Sequence, residues 1–195
     1  MTAPEQTGAP ASAIEPPGEA RQAEPAEGAG PDQLKPRPAQ EPEPVVKLRE
    51  LIEAKLTEML EGYSVDKRGS YVFGYESAQV FVVPAWLPNG STVVRVFAIT
   101  NLDVPVTAQL TSYLLEKNLD FVLGSFALDA DEGAVWFNHN LLGQYLAPEE
   151  FEATVAAVAQ TSNELDDEIK NRFGGRLFSE EPTKEISPPH TPGYL

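Results

Sequence analysis

The middle of this chain is predicted to fold as an α+β domain built on an antiparallel sheet, and three observations carry that reading. Residues 121–129 and 134–142 are runs of aromatic and β-branched residues separated by Asp129-Ala130-Asp131-Glu132-Gly133. Aspartates there bond their own backbone and Gly133 accepts a positive φ, so the runs read as a hairpin. A second pair of runs, 79–86 and 92–99, meets at Pro88-Asn89-Gly90-Ser91, and Asn-Gly is a strong hairpin signal. Around these strands, apolar residues recur at three- and four-residue spacing, the period of a buried helix face. Strands joined by short turns pair antiparallel, which sets the class as α+β.

In chain order, Leu48, Ile52, Leu56, Met59 and Tyr63 form the stripe of a first helix that starts near Val45 and is expected to stop at Gly62. Asp66-Lys67-Arg68-Gly69 is a turn into a short strand, residues 71–75. Pro84 cannot donate to a ladder, so a bulge or an edge is expected there. A second helix is expected from about Thr107, with Leu110, Tyr113 and Leu114 on one side, ending at Asn118 in a left-handed cap. A last helix opens at Pro148, carries Phe151, Val155, Val158, Ser162, Leu165, Ile169 and Phe173 on one face, and stops at Gly174-Gly175. The order is α-β-β-β-α-β-β-α, a five-stranded antiparallel sheet packed by helices.

The flanks differ in composition. Residues 1–44 are rich in Pro, Ala, Glu and Gly, and Ile14 and Leu34 are their only large aliphatics after Met1. That is too little apolar surface to offset the entropy of ordering them. Residues 179–195 are again proline-rich, with Leu177 and Phe178 available to pack back on the domain. The expected organisation is a disordered extension at 1–44, one domain at 45–178 and a disordered tail at 179–195.

The formal net charge is −16, and residues 45–175 hold nineteen acidic against nine basic side chains. An acidic domain repels phosphate backbones and anionic lipid, so neither nucleic acid nor a membrane surface is the expected partner. Membrane insertion is not expected either, since no apolar run approaches the ~20 residues that span a bilayer. The chain has no cysteine, which removes disulfides, thiolate metal sites and cysteine nucleophiles and fits a reducing, cytoplasmic setting.

The 79–99 hairpin is apolar on both faces. Phe81, Val83, Ala85, Val93, Phe97 and Ile99 face one way; Val80, Val82, Trp86, Val94, Val96 and Ala98 face the other. An antiparallel sheet with one wet face should alternate. Either helices of this chain cover both sides, or one side serves a partner. The first and last helices are expected to cover one face, leaving the short middle helix for the other. Which face the first helix takes is left open by the sequence, so both sets stand, with Val80, Val82, Trp86, Val94 and Val96 named as the candidate peptide-binding or dimer face.

The 93–97 strand followed by Val104-Pro105, Leu114-Leu115-Glu116-Lys117-Asn118, the Gly124-Ser125-Phe126 strand, the 135–142 strand and the helix ending Arg172-Phe173-Gly174-Gly175 together resemble the YbjN-type family. The fold of that family is similar to the class I type III secretion chaperones, the CesT and YopN-chaperone group. The resemblance covers residues 45–175. It implies a domain, often dimeric, that binds extended peptide segments of client proteins or acts as a regulator. The expected partner is therefore a client protein or peptide, with a homodimer possible on the same fold, and a regulatory or scaffold protein acting through its tails is the alternative.

Catalysis and cofactors are not expected. His139 is the only histidine in the folded region, and no cysteine or nucleophile elbow accompanies it. Asp129, Asp131 and Glu132 lack the further ligands of a calcium loop. Glu149, Glu150 and Glu152 suit the positive end of a helix dipole. Glu164, Asp166, Asp167 and Glu168 read as a solvated helix face.

Overall fold

In a computed structural model of the chain, residues 41–180 are described. The extension read at 1–44 and the tail at 179–195 therefore lie almost wholly outside the described residues. The predicted α-β-β-β-α-β-β-α order is recovered, with two additional two-residue strands at the rims.

Helix α1 (Glu43–Met59) buries Val45, Leu48, Ile52 and Leu56. It ends before Gly62, because Leu60 is already extended and the chain turns to set Tyr63 edge-on to Tyr71, ring centroids 5.7 Å apart. Arg49 is buried on the same helix and fastens its start. Its Nε and Nη2 each donate to the Glu41 carboxylate at 2.9 Å, and Nη1 donates to the Gly69 carbonyl at 2.6 Å.

The sheet strands are β1 (Ser64–Val65), β2 (Tyr71–Tyr75), β3 (Ala78–Trp86), β4 (Thr92–Leu102), β5 (Ser125–Asp129), β6 (Ala134–Leu142) and β7 (Arg176–Leu177). They run in the order β1-β2-β3-β4-β6-β5, with β7 set against β4. Every pair is antiparallel. Two-residue strands carry no readable period, which is why five were expected and seven are found. Pro84 pairs with Val94, but β2 stops opposite Val82. Pro84 thus sits where β3 is locally an edge, which spares the missing donor.

Helix α2 (Ala108–Lys117) is capped by Thr107, whose Oγ1 accepts from the Leu110 N–H at 3.2 Å. Helix α3 (Pro148–Phe173) buries Phe151, Val155, Val158, Ala159 and Ile169 as its stripe requires. It also buries Asp166, which was expected on the solvated face. The Asp166 Oδ2 accepts from Ser77 Oγ at 2.6 Å, joining α3 to the β2–β3 turn. After α3, Gly174 and Gly175 turn the chain into β7. At Gly175 φ is +80°, and a Cβ would fall 2.6 Å from the Leu102 carbonyl oxygen, so only glycine permits this approach.

All three α-helices of the described residues pack on one face of the sheet. Leu48, Ile52 and Leu56 of α1, Leu110, Tyr113 and Leu114 of α2, and Phe151, Val155, Val158 and Ile169 of α3 share a single cluster with Tyr71, Val80, Val82, Val94, Val96 and Phe137. The assignment of α2 to the opposite face is thereby corrected. The chain between β4 and β5 carries α2 back over Phe126 and Phe137, so the two ends of the β4–β6–β5 region are closed from the same side as the centre.

Candidate peptide-binding surface

The residues expected to form an open face do not do so. Val80, Val82, Val94 and Val96 are 0 % exposed and lie beneath the helices. Trp86 shares their side of β3 but stands at the strand end, 40 % exposed. Alternation along two strands identified the two faces correctly, and it held no signal for which of them the helices would take.

Among the described residues the other face carries no α-helix, only the single 3-10 turn Phe178–Glu180, whose Phe178 packs on it. Its centre is a row of aromatic rings running across three strands. Phe81 and Phe97 are register partners on β3 and β4. Their rings stack with centroids 5.0 Å apart and 9° between planes. Trp136 on β6 continues the row, 5.2 Å from Phe97. Offset and tilted ring pairs at these separations add to the apolar area they bury. Ile99 and Leu102 of β4, Ala134 of β6 and Phe178 belong to the same cluster. Phe178 arrives from the turn after β7 and meets Phe81 edge-on at 6.4 Å.

Further along the strands this face changes character. Val83, Ala85 and Val93 are only half-buried, and Leu142 is exposed. Arg95 lies among them, opposite Val83 on one side and Asn140 on the other. Its guanidinium carbon stands 5.1 Å from the Phe97 ring centroid. Burial lowers its pKa from the ordinary arginine value, yet arginine keeps its charge throughout the accessible pH range. The surface is therefore an apolar strip with one fixed positive charge near its middle.

A second exposed apolar group flanks the β5 edge of the sheet. Leu115 on α2 is 63 % exposed, and Leu119 and Val122 in the loop that follows are 86 % and 96 % exposed. The loop is pinned at two points. Asn118 Oδ1 accepts from the Phe126 N–H at 2.6 Å, and its Nδ2 donates to the Phe126 carbonyl at 3.3 Å. His139 Nδ1 accepts from the Gly124 N–H at 3.1 Å. Asn118 is right-handed, with φ −62°, so it does not end α2 in the expected left-handed cap. Its side chain is used on β5 instead. His139 thus accepts a hydrogen bond that holds the loop.

An open groove of about 600 Å³ lies between α2 and the end of α3, lined by Gln109, Tyr113, Glu116, Arg172 and Phe173 among others. Arg172 stands over the Tyr113 ring at 4.4 Å and over Phe173 at 5.2 Å. Burial, with Glu168 nearby, pushes the Tyr113 hydroxyl up to about 12. In the acidic turn, Asp129 Oδ1 accepts from the N–H groups of Asp131 and Glu132, so that carboxylate is used in shaping the turn. Among the described residues no group of three or more His, Asp or Glu side chains is placed to hold a metal ion. No described helix is long and apolar enough to cross a membrane.

The described residues form a two-layer α+β domain with three α-helices on one sheet face and a largely apolar second face. Its fold is similar to that of the HopA1–SchA chaperone–effector complex, with a TM-score of 0.51 and 9 % identity over 66 % of this chain and 99 % of that one. Lesser similarity connects it to the ExsC–ExsE complex (TM-score 0.47, 19 % identity, 63 % and 93 % covered). A third structure is the Yersinia pestis type III secretion chaperone SycH with a fragment of YscM2 (0.43, 20 %, 60 % and 98 %). No curated protein matches the chain. The model of the family described as T3SS (YopN, CesT) and YbjN peptide-binding chaperone 1 matches residues 46–181, and the chain belongs to that family.

Proposed function

We propose that this protein holds extended apolar segments of client proteins against the helix-free face of its sheet and acts by binding, without turnover and without a cofactor. One observation carries the reading: among the described residues three α-helices crowd onto one face and none onto the other, where Phe81, Phe97 and Trp136 are buried but Val83, Val93 and Leu142 beside them are not. Peptides use such a surface by laying apolar anchors across it. The half-buried Val83 and Val93 and the exposed Leu142 offer the anchor sites. The formal charge of −16 favours clients with basic flanks and speeds their encounter at low salt. A cysteine-free chain of this kind suits the reducing cytoplasm.

The test is fluorescence anisotropy with labelled extended peptides carrying three or four large apolar residues between lysines. Binding that falls at least tenfold in Leu142→Asp and Val83→Asp, and is unchanged in Leu115→Asp, supports the face. Equal binding in all three variants removes it.

The Leu115, Leu119 and Val122 group favours a second reading, a homodimer formed through α2 and the β5 edge. It is compatible with the first and also with a regulatory or scaffold role carried by the tails. Sedimentation of the whole chain decides it: Leu119→Asp with Val122→Asp should convert a dimer to a monomer, and a wild-type monomer at all concentrations ends the idea.

A further inference from the structure

We infer that Asp166 is a carboxylic acid in the folded domain, and that its proton is the latch that fastens the β2–β3 turn to α3. The inference goes beyond the client reading above and does not rest on it.

A count of protons carries it. Ser77 Oγ lies 2.6 Å from Asp166 Oδ2 and 2.7 Å from Asn163 Oδ1. A hydroxyl has one proton to donate. If both partners were bare acceptors, one of these two short contacts would hold no proton. The Asn163 amide cannot turn round to supply it. Its Oδ1 also accepts from the Ser77 N–H at 3.0 Å, and its Nδ2 donates to Glu76 Oε2 at 2.6 Å. Reversed, it would set an amide nitrogen against the Ser77 N–H and an oxygen against a carboxylate, so its bonding network fixes its orientation. The missing proton therefore sits on Asp166 Oδ2. It is donated to Ser77 Oγ, whose own proton goes to Asn163 Oδ1. Asp166 Oδ1 remains the acceptor for the Asp167 N–H at 2.6 Å.

The surroundings favour the neutral acid. Asp166 is 2 % exposed, and burial disfavours the charged form, which pushes its pKa up. The charge of Asp167 acts in the same direction, while Lys170, one turn further along α3, opposes it. Lys170 is shared with Glu180, 2.7 Å away. The β2–β3 turn presents Glu76, a second carboxylate on the far side of the Asn163 amide. From β4 comes Asn101, which is uncharged and whose Nδ2 donates to the Asp166 carbonyl at 2.9 Å.

What the latch holds is a strained turn. Tyr75 pairs with Ala78, so Glu76 and Ser77 alone reverse the chain, and Glu76 has φ +50°. A non-glycine residue persists there only where its surroundings hold it. Ionisation of Asp166 leaves it competing with Asn163 for the single Ser77 hydroxyl proton, and one tie between turn and helix fails. A folded pKa above the unfolded one means that the latch is fully closed below the unfolded value and is released as pH rises through the folded one. The fold thus carries a pH-sensitive catch between α3 and the β2–β3 hairpin.

Two measurements on the full chain test it. The carboxyl carbon resonance of Asp166, followed by NMR, should titrate above the ordinary aspartate value of about 3.9. The hydrogen-exchange protection factor of the Ser77 amide should fall about tenfold per pH unit between the unfolded and folded pKa values and then level off. In Asp166→Asn, whose amide is a permanent donor, that protection should not change with pH. A resonance that titrates at or below the ordinary value overturns the proposal, and this wild-type measurement decides it even where the variant fails to fold. Ser77 protection with the same pH dependence in wild type and Asp166→Asn would show a merely structural contact and also overturns it.

Discussion

Asn118 holds both backbone groups of Phe126: its Oδ1 receives the N–H at 2.6 Å and its Nδ2 reaches the carbonyl at 3.3 Å. β5 is the last strand of the sheet, so a side chain occupies the outer edge where another strand would pair. Exposed strand edges are templates for association, and proteins block them with side chains. Asn118→Ala should cost about 1–2 kcal/mol and raise concentration-dependent association, read by thermal melting and light scattering. An unchanged melt and a monodisperse sample would contradict the role.

The two sheet faces should respond oppositely to charge. Val82 is 0 % exposed beneath the helices, and an aspartate there is a buried, unpaired carboxylate, so Val82→Asp should unfold the domain. Leu142→Asp, at an exposed position on the other face, should change stability by no more than about 0.5 kcal/mol. Circular dichroism separates them, and a folded Val82→Asp protein would refute the assignment of faces.

Arg49 and Glu41 form a nearly buried pair at the start of α1. Removing one partner leaves the other charge out of water, so Arg49→Ala should cost roughly 3–5 kcal/mol by denaturant titration. The loss should exceed that of Lys47→Ala, whose pair with Glu43 is fully exposed and screened by solvent.

Asp166 supplies a pH dependence. Burial raises its pKa above the ordinary aspartate value, against the lowering effect of the Ser77 bond. A folded value above the unfolded one means that its contribution is fully present below the unfolded pKa and is lost as pH rises through the folded value. Asp166→Asn keeps the geometry, since its amide can donate to Ser77 Oγ while that hydroxyl donates to Asn163 Oδ1, 2.7 Å away. The variant should therefore melt higher than wild type near neutrality, with the advantage shrinking as pH falls towards 4. A gain that grows on acidification would reverse the sign.

His139→Ala removes the acceptor for the Gly124 N–H and should cost about 1 kcal/mol, loosening the loop that carries Leu119 and Val122. Faster hydrogen exchange at residues 119–124 is the direct readout. A hydrolase or transferase activity of the wild type lost in this variant alone would overturn the non-catalytic reading.

The period of the apolar residues was enough to place every α-helix and all five longer strands, because each element records its burial locally, every two residues or every 3.6. The start of α2 near Thr107, the Gly133 turn and a bulge or edge at Pro84 were legible from local chemistry as well. The choice between the two apolar faces was not. Val80 and Phe81 are equally good strand residues, and their fates depend on which side the α2 crossover takes, a decision made by contacts with Phe126 and Phe137 more than ten residues distant in sequence. Asp166 looked solvated for a related reason: its partner, Ser77, is 89 residues away. Local chemistry thus set the elements and the class of the domain. The face that carries no α-helix among the described residues, with Arg95 among its apolar neighbours, exists only because tertiary packing placed α1, α2 and α3 on the other side.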